Sequence, residues 1–287
     1  MEYNSFDLFL GGLKVSEVKL LLFDNDGTLI NDDRQLTKRT KDALEALHSK
    51  GYLLGLASGR TYENLSTYPK EWGLSFDFDV YIGQNGAELY DGVHHTHTIE
   101  NYLTREQIID ICLKVEAFDV NGICAIQTFD DEHVYVYHCN EIVKQSFARN
   151  KIHEAVFCDD VEDMAKVKTT RVMIRIPEEH MAELEDYLAK HQNPTYTGYK
   201  TQPFVYEFVD IKTKKGHGVS MLQKAFGFEK DQIMSFGDTS NDNSMIEATY
   251  GVCMANGSDD TKALAKEITR YTNNEDGLAD YLETHLL

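Results

Sequence analysis

The chain has 287 residues, of which 42% are hydrophobic and 26% are charged, and this ordinary globular usage excludes a disordered, collagen-like or fibrous protein. The length suits one large domain or a core that carries a smaller domain. With 28 basic against 48 acidic residues, the formal charge is -20, so the surface repels phosphate backbones and anionic head groups. We therefore expect neither nucleic acid nor a membrane surface as a partner.

The N-terminal residues and the cysteines bear on the compartment. Residues 1–16 lack a basic region ahead of their short apolar stretch, so we interpret them as an N-terminal extension and not as a secretory signal. No apolar run approaches the ~20 residues that span a bilayer. The five cysteines are odd in number and contain no Cys-x-x-Cys pair, which argues against a disulfide framework. These features favour a cytoplasmic protein.

The first part of the chain alternates predicted buried strands with a helix. Residues 18–23 form a continuous apolar run that stops at Asp-Asn-Asp-Gly-Thr, which is typical of a strand buried on both faces. Residues 37–50 have helical spacing of apolar side chains, and residues 52–57 predict a second buried strand that leads into Ser-Gly-Arg. A short strand is expected at 80–83. A strand, a helix and a strand in this order indicate a parallel, right-handed crossover.

A different pattern separates this part from the end of the chain. Residues from about 86 to 203 mix alternating strands with helices, and buried strands then alternate with helices again, including a strand at 233–237 that leads into Asp-Thr-Ser-Asn-Asp. The sequence therefore predicts an α/β protein. Its Rossmann-like parallel-sheet core is expected at residues 17–89 and 204–287, with an inserted α+β domain at residues 90–203.

Polar side chains gather at the predicted carboxyl ends of the core strands, where open α/β sheets bind their ligands. These residues are Asp24, Asp26, Ser58, Gly59, Arg60, Asp238, Asn241 and Asp242. Lys215 precedes a helix expected at 219–226 and could reach the same edge. Clustered carboxylates repel one another unless a cation neutralises them, and oxygen ligands in an incomplete protein cage are the preference of Mg²⁺. The pattern therefore predicts a hard divalent metal at this edge.

Four segments carry a family resemblance. FDNDGTLI, LASGR, KKGHG and FGDTSNDNSM resemble the ordered signature motifs of the haloacid dehalogenase superfamily, in particular its Cof-type phosphatases, which have a large α/β cap inserted between the second and third motifs. The resemblance extends from about residue 18 to the C-terminus and includes NGAELY, YGVCMANGSDD and NNEDGLADYL. Residues 1–16 depart from it. The resemblance implies that residues 90–203 form the cap and determine substrate specificity.

The resemblance also implies the catalytic and metal-binding roles. Asp24 is expected to be the nucleophile that forms an aspartyl-phosphate, and Asp26 the general acid and then the general base. Mg²⁺ is expected to be held by Asp24, the backbone carbonyl of Asp26 and Asp238. Asp242 is expected to support the metal through water or hydrogen bonds.

Phosphate binding is implied in the same way. Ser58, Gly59 and Arg60 are expected to bind phosphoryl oxygens, through the Ser58 hydroxyl and the backbone N–H that follows it. Lys215 is expected to neutralise charge between the nucleophile and the phosphate, and Asn241 to contact the substrate or Lys215.

The sequence thus predicts a Mg²⁺-dependent phosphatase, a monomer or weak homodimer, that hydrolyses small phosphorylated metabolites, with sugar phosphates as the usual class of the family. A phosphomutase of the phosphomannomutase-like type is an alternative that the motifs do not exclude. A non-catalytic ligand-binding protein on the same fold is a second alternative, which the presence of Asp24 and Asp26 disfavours. In the insertion, Arg171 and Arg175 alternate with apolar residues, so one strand face is polar and faces either the active site or water.

Overall fold

The computed structural model describes residues 9–10, 13–14, 17–119, 121–130, 132–150 and 154–287. Its strands are β1 (Phe9–Leu10), β2 (Leu13–Lys14), β3 (Leu20–Asp24), β4 (Leu53–Ala57), β5 (Val80–Gly83), β6 (Glu88–Asp91), β7 (Thr96–Ile99), β8 (Ala125–Phe129), β9 (Val134–Tyr137), β10 (Val156–Phe157), β11 (Arg171–Arg175), β12 (Tyr196–Gln202), β13 (Val205–Asp210), β14 (Ile233–Gly237), β15 (Tyr250–Cys253) and β16 (Glu267–Ile268). Its α-helices are α1 (Lys38–Ser49), α2 (Tyr62–Leu65), α3 (Tyr68–Trp72), α4 (Arg105–Phe118), α5 (Glu141–Asn150), α6 (Val161–Met164), α7 (Glu178–Lys190), α8 (Lys215–Phe226), α9 (Asn243–Ala248), α10 (Asp259–Leu264) and α11 (Gly277–His285). Short 3₁₀ turns cover Gln84–Gly86, Lys230–Gln232, Ser240–Asp242 and Asn273–Glu275.

The chain divides into two compact units. The core unit runs to Ile99 and resumes at Lys214, and the inserted unit is Glu100–Thr213. Of the N-terminal extension expected at residues 1–16, the structure describes only the antiparallel pair of β1 and β2, and the rest lies outside the described residues.

An eight-stranded sheet organises the core unit in the order β16-β15-β14-β3-β4-β5-β6-β7. The strands from β16 to β5 are parallel, and β6 and β7 continue the sheet as an antiparallel hairpin. All five residues of β3 are buried, as expected for a central strand with both faces covered. The predicted α/β class with a parallel-rich sheet is confirmed.

Two apolar clusters cover the two faces of this sheet. Leu21 and Phe23 of β3 belong to one cluster, which includes residues of α1 and α11, whereas Leu20 and Leu22 belong to the other, which includes residues of α8. Successive side chains of a strand point to opposite faces, so one apolar run supplies both clusters. Because both faces of the sheet are covered by apolar clusters, β3 is held in a defined position, and so is the end of β3 at Asp24.

Local signals set the ends of α1. Thr37 is extended, and its hydroxyl accepts the N–H of Thr40, which satisfies one of the free donors at the start of the helix. After the helix, Gly51 has a φ of 88°, which glycine adopts at low cost. Both features agree with the predicted helix at 37–50.

A second sheet organises the inserted unit, in the order β10-β9-β8-β11-β13-β12. Its pairs are antiparallel except for β10 with β9. One face packs on α4, α6 and α7 through a separate apolar cluster that includes Ile111, Ile174 and Leu184. The other face carries Arg171 and Arg175, since these residues alternate with the buried Val172 and Ile174 along β11.

The units divide at residues that differ from the expected insertion at 90–203. The expected insertion begins inside β6 and ends before β13, whereas the units divide after Ile99 and before Lys214. In the structure, β6 and β7 extend the core sheet, and β13 lies between β11 and β12 in the second sheet. An alternating strand pattern indicates which face is buried but not which sheet the strand joins.

Two further findings concern the cysteines and the lengths of the helices. All five cysteines are free. Within the part of the chain that the structure describes, no helix has both the length and the apolar character needed to cross a membrane.

Candidate active site

The parallel strands bring three predicted site residues to one edge of the core sheet. Asp24 is the last residue of β3, and its Cα pairs with Ala57 of β4, which directly precedes Ser58. On the other side, Phe23 pairs with Phe236 of β14, so Asp238 follows the end of that strand next to Asp24. The carboxyl ends of β14, β3 and β4 therefore place these side chains side by side, as the sequence predicts.

A buried acid cluster lies at this edge. Carboxylate oxygens of Asp24, Asp238 and Asp242 lie within 4.8 Å of one another, and all three residues are buried. Lys215 is fully buried, and its Nζ donates to Oδ1 of Asp24 and Oδ1 of Asp242 at 2.5 Å each. The second oxygen of Asp242 accepts the N–H groups of Asp238 at 3.0 Å and Thr239 at 3.2 Å. One lysine thus faces three carboxylates.

The pKa shifts reflect this shortage of positive charge. Burial raises the pKa of Asp24 to about 8, Lys215 opposes the rise, and the carboxylate of Asp242 adds to it. Burial likewise raises the pKa of Asp238 to about 7, with a further contribution from Asp242. Burial acts to lower the pKa of Lys215, but Asp24 and Asp242 outweigh it and leave that pKa raised. A further cation would stabilise the ionised carboxylates.

The donor atoms fit a hard divalent metal. Oδ1 of Asp238 is buried and has no hydrogen-bond partner among the described residues, so one ligand atom is available. The cluster offers carboxylate oxygens alone, and oxygen ligands are the preference of Mg²⁺. Asp24 and Asp238 are the residues that could hold such an ion, with Asp242 fixed behind them by Lys215 and backbone N–H groups.

Close packing explains how Lys215 reaches the cluster. It is the first residue of α8, which begins four residues before the helix expected at 219–226. A Cβ on Gly216 would lie 2.5 Å from the carbonyl oxygen of Ser244, and the Gly216 N–H donates to the Ser244 hydroxyl at 3.0 Å. The glycine that weakens the helical pattern in the sequence allows α8 to approach α9 closely.

The loop after β3 is also packed against the cluster. Gly27 has a φ of +79°, and a Cβ there would lie 2.3 Å from Oδ2 of Asp238. A side chain at this position would therefore meet both a strained backbone and a carboxylate. Glycine is required here so that the loop that carries Asp26 can lie next to Asp238.

Asp26 and Arg60 contact each other at the surface of the site. Nη2 of Arg60 donates to the two carboxylate oxygens of Asp26 at 3.0 Å and 3.3 Å. The Arg60 guanidinium also contacts the hydroxyl and ring of Tyr68 in α3. The two side chains are 37% and 53% exposed, so both remain accessible to a ligand. The motif resemblance predicts that Arg60 binds phosphoryl oxygens, but it does not predict the ion pair with Asp26.

The remaining predicted residues occupy different environments. Ser58 is buried, and its N–H donates to the carbonyl of Ile82 at 2.9 Å. Its hydroxyl lies 3.4 Å from the N–H of Arg60. Asn241 is exposed in the turn Ser240–Asp242, and its amide oxygen accepts the hydroxyl of Thr239 at 2.6 Å. The structure thus places Ser58 at the carboxyl end of β4, beside the ends of β3 and β14. Asn241 is exposed in the turn after β14.

Glu88 is not among the predicted site residues, although it lies in the NGAELY segment that carries part of the family resemblance. Glu88 is buried, and its Oε2 accepts the N–H of Tyr62, the first residue of α2 after Ser-Gly-Arg, at 2.9 Å. Its Oε1 lies 2.8 Å from Nε2 of His97. Glu88 therefore holds the start of α2 against the hairpin of β6 and β7.

The chain is similar to known proteins over most of its length. The family model of haloacid dehalogenase-like hydrolases matches residues 21–282. The 5-amino-6-(5-phospho-D-ribitylamino)uracil phosphatase YitU of Bacillus subtilis is 28% identical over 273 residues, which cover 93% of this chain and 97% of that protein. The crystal structure of TM0651 from Thermotoga maritima has a TM-score of 0.77 at 25% identity, with 93% and 97% of the two chains covered. The HAD subclass IIB sugar phosphatase BT4131 has a TM-score of 0.71 at 25% identity, with 93% and 98% covered.

The fold, the acid cluster at the strand ends and these similarities define the class of the enzyme as a phosphatase, so the predicted class is confirmed. The chain belongs to the haloacid dehalogenase-like hydrolase family, which confirms the family resemblance of its motifs.

Proposed function

We propose that the protein is a Mg²⁺-dependent phosphomonoesterase that hydrolyses small phosphorylated metabolites through an aspartyl-phosphate on Asp24. The observation that carries the proposal is the buried contact between Asp24 and Lys215, beside Asp238 and Asp242. A carboxylate that is held by a lysine at a strand end can attack phosphorus, because the lysine offsets the charge of the incoming phosphate.

In the first step, a carboxylate oxygen of Asp24 attacks phosphorus, the new O–P bond forms, and the bond from phosphorus to the ester oxygen breaks. The electron pair of the broken bond leaves on the alkoxide, which takes a proton from Asp26. Asp26 is accessible at the surface of the site, and for this step its carboxyl must be protonated and released from the ion pair with Arg60. Lys215 and Ser58 are the residues proposed to balance charge on the phosphoryl oxygens.

In the second step, water attacks the aspartyl-phosphate. The oxygen of this water bonds to phosphorus while Asp26 accepts its proton, the bond from phosphorus to the Asp24 oxygen breaks, and inorganic phosphate leaves. The transfer returns Asp24 to the carboxylate and Asp26 to the acid. Water is the second substrate, and the reaction needs no oxidant or reductant.

The proposed metal site consists of Asp24, Asp238 and the backbone carbonyl of Asp26, supported by Asp242. When bound, Mg²⁺ would neutralise charge on the phosphoryl group and orient it toward Asp24. Asp242 itself is held by Lys215 and by the N–H groups of Asp238 and Thr239, which fixes the carboxylate behind the ligands.

The substrate class is proposed from the relatives and from the inserted unit. YitU is named for a phosphorylated ribitylamino compound and BT4131 for sugar phosphates, which favours a small polyhydroxylated phosphate ester here. On the polar face of the second sheet, Arg175 Nε donates to Gln127 at 3.0 Å and Arg171 lies 3.4 Å from Glu207. We propose that these four side chains select among such substrates by hydrogen bonding to hydroxyl groups.

Removal of the metal tests the proposal. After chelation we expect no release of inorganic phosphate, with full recovery in Mg²⁺ but not in Ca²⁺, whose larger coordination shell misplaces the phosphate. Mg²⁺ should also raise the melting temperature. At a Mg²⁺ concentration a hundred times its Kd, the free energy of unfolding should increase by about 2.7 kcal/mol. The Asp238→Asn variant should lose this shift. Full activity after thorough chelation would contradict the metal dependence.

A phosphomutase remains the alternative, and the product distinguishes the two reactions. A phosphatase releases inorganic phosphate from a hexose phosphate without an activating bisphosphate. A mutase instead returns an isomeric hexose phosphate and needs the bisphosphate. A screen of phosphorylated metabolites with Mg²⁺, read out as inorganic phosphate, decides between them and ranks the substrates.

A further inference from the structure

The loop that follows β3 is connected to the far end of the chain by two side-chain amides. Nδ2 of Asn256 donates to the carbonyl of Gly27 at 2.8 Å, and Oδ1 of Asn256 accepts the N–H of Asn273 at 2.9 Å. Nδ2 of Asn273 donates in turn to the carbonyl of Ile30 at 3.2 Å. The amide nitrogen of each residue thus donates to a backbone carbonyl of this loop.

These bonds act on the peptide that follows Asp26. The Cα of Gly27 is pressed against Asp238, since a Cβ there would lie 2.3 Å from Oδ2, while the Gly27 carbonyl is held by Asn256. The backbone is therefore restrained on two sides within one residue of Asp26. A side chain adjacent to a restrained peptide has fewer accessible directions.

We propose that Asn256 is a positioning residue for Asp26, acting through the Gly27 carbonyl, and that Asn273 holds Asn256 in place. The inference rests on the proposed phosphatase function, because it assigns the placement of the proposed general acid to residues outside the four motifs. Both residues lie in segments, YGVCMANGSDD and NNEDGLADYL, that sequence reasoning noted without a role.

Asn256 and Asn273 differ in burial, so their replacement should affect the stability of the fold differently. Asn256 is exposed, so water can replace its hydrogen bonds when it is changed, and its loss should affect stability little. Asn273 is buried with 6% of its surface exposed, so its loss leaves backbone groups without partners. Asn256 is therefore the better residue for a test of positioning.

The decisive variant is Asn256→Asp. It keeps the acceptor for the Asn273 N–H but removes the donor to Gly27 and places a carboxylate against that carbonyl. Asp26 protonates a poor leaving group more than a good one, so hydrolysis of an alkyl phosphate should fall by about tenfold relative to p-nitrophenyl phosphate, mainly in kcat. Asn64→Asp is the control, since Asn64 is exposed and its side chain donates to the hydroxyl of the nearby Thr61, and it should leave the ratio unchanged.

Hydrogen exchange gives a readout that does not depend on activity. In Asn256→Asp, amides of residues 25–32 should exchange several-fold faster than in the wild type, while those of α1 keep their rates. Unchanged exchange in this loop would overturn the inference, even for a protein that hydrolyses neither ester. In an active enzyme, an unchanged substrate ratio would overturn the action through Asp26. Inactivity of the wild type on every ester refutes the phosphatase function instead, and the exchange result then decides on the loop contact.

Discussion

In the core unit three buried carboxylates lie beside one lysine, whereas on the sheet of the inserted unit Arg171 is paired with the single carboxylate of Glu207. Lys215 contacts Asp24 and Asp242, and Oδ1 of Asp238 is buried with no hydrogen-bond partner in the part of the chain that the structure describes. In the second sheet, Arg171 lies 3.4 Å from Glu207. The buried cluster of the core therefore carries more negative than positive charge, whereas the pair of Arg171 and Glu207 is balanced.

This difference shows that a buried functional site can lower the stability of the fold. Buried carboxylates without full compensation destabilise a fold, and such groups persist where a ligand completes them. A paired charge on a sheet face can instead serve stability or recognition without any ligand. The following predictions test whether the core cluster is built for chemistry and the second sheet for recognition.

The largest effect is expected for Asp24→Asn. The amide cannot form the acyl phosphate, so turnover should fall by about a thousandfold or more. The melting temperature should stay constant or rise, since one of three buried carboxylates is removed. Phosphate release and thermal unfolding measure both. Asp42→Asn, on the exposed side of α1, should change neither, and a wild-type rate in Asp24→Asn would place the nucleophile elsewhere.

Lys215→Met should destabilise the metal-free protein by about 3–5 kcal/mol, because the variant leaves buried carboxylates without their cation. Urea unfolding measures the loss. Addition of Asp242→Asn should recover part of it, since that change removes one unpaired charge. Lys224→Met is the control on the same helix, because Lys224 is exposed and its loss should cost only about 0.5 kcal/mol. Equal effects of the two lysine variants would contradict the account of the cluster.

A smaller effect is expected for Arg171→Met in the inserted unit. Both partners of this ion pair are 11% exposed, so loss of the arginine should cost about 1–3 kcal/mol, and Glu207→Gln in the same chain should restore part of it. Hydrolysis of p-nitrophenyl phosphate should be unchanged, while the ranking of sugar phosphates should change. An unaltered ranking would argue against recognition by this face.

The smallest effect should be a gain in stability for Asn25→Leu. Asn25 is fully buried, and both polar atoms of its amide have no hydrogen-bond partner among the described residues. Replacement with an apolar side chain of similar size should stabilise the protein by about 1 kcal/mol, measured as a higher melting temperature. Asn64→Leu, at an exposed position, should give no such gain. Destabilisation would reveal a partner for the amide.

Sequence alone determined the elements that lead to the site. Unbroken apolar runs before Asp24 and Asp238 predicted buried parallel strands, and parallel strands end at a common edge whatever the details of packing. The fold class and the acid cluster followed from this pattern, and the family followed from the resemblance of the four motifs. The sequence indicated less clearly that Lys215 begins α8, because Gly216 and Gly218 have low helix propensity.

Only the tertiary structure decided which sheet each strand joins and which side chains meet. The strands β6 and β7 extend the core sheet and β13 joins the second sheet, and nothing in their own residues indicates which sheet each one joins. The ion pair of Arg60 with Asp26 and the bond of Asn256 to Gly27 join residues that are far apart in the chain. Local sequence patterns report the burial of each residue, whereas such contacts depend on how distant segments pack together.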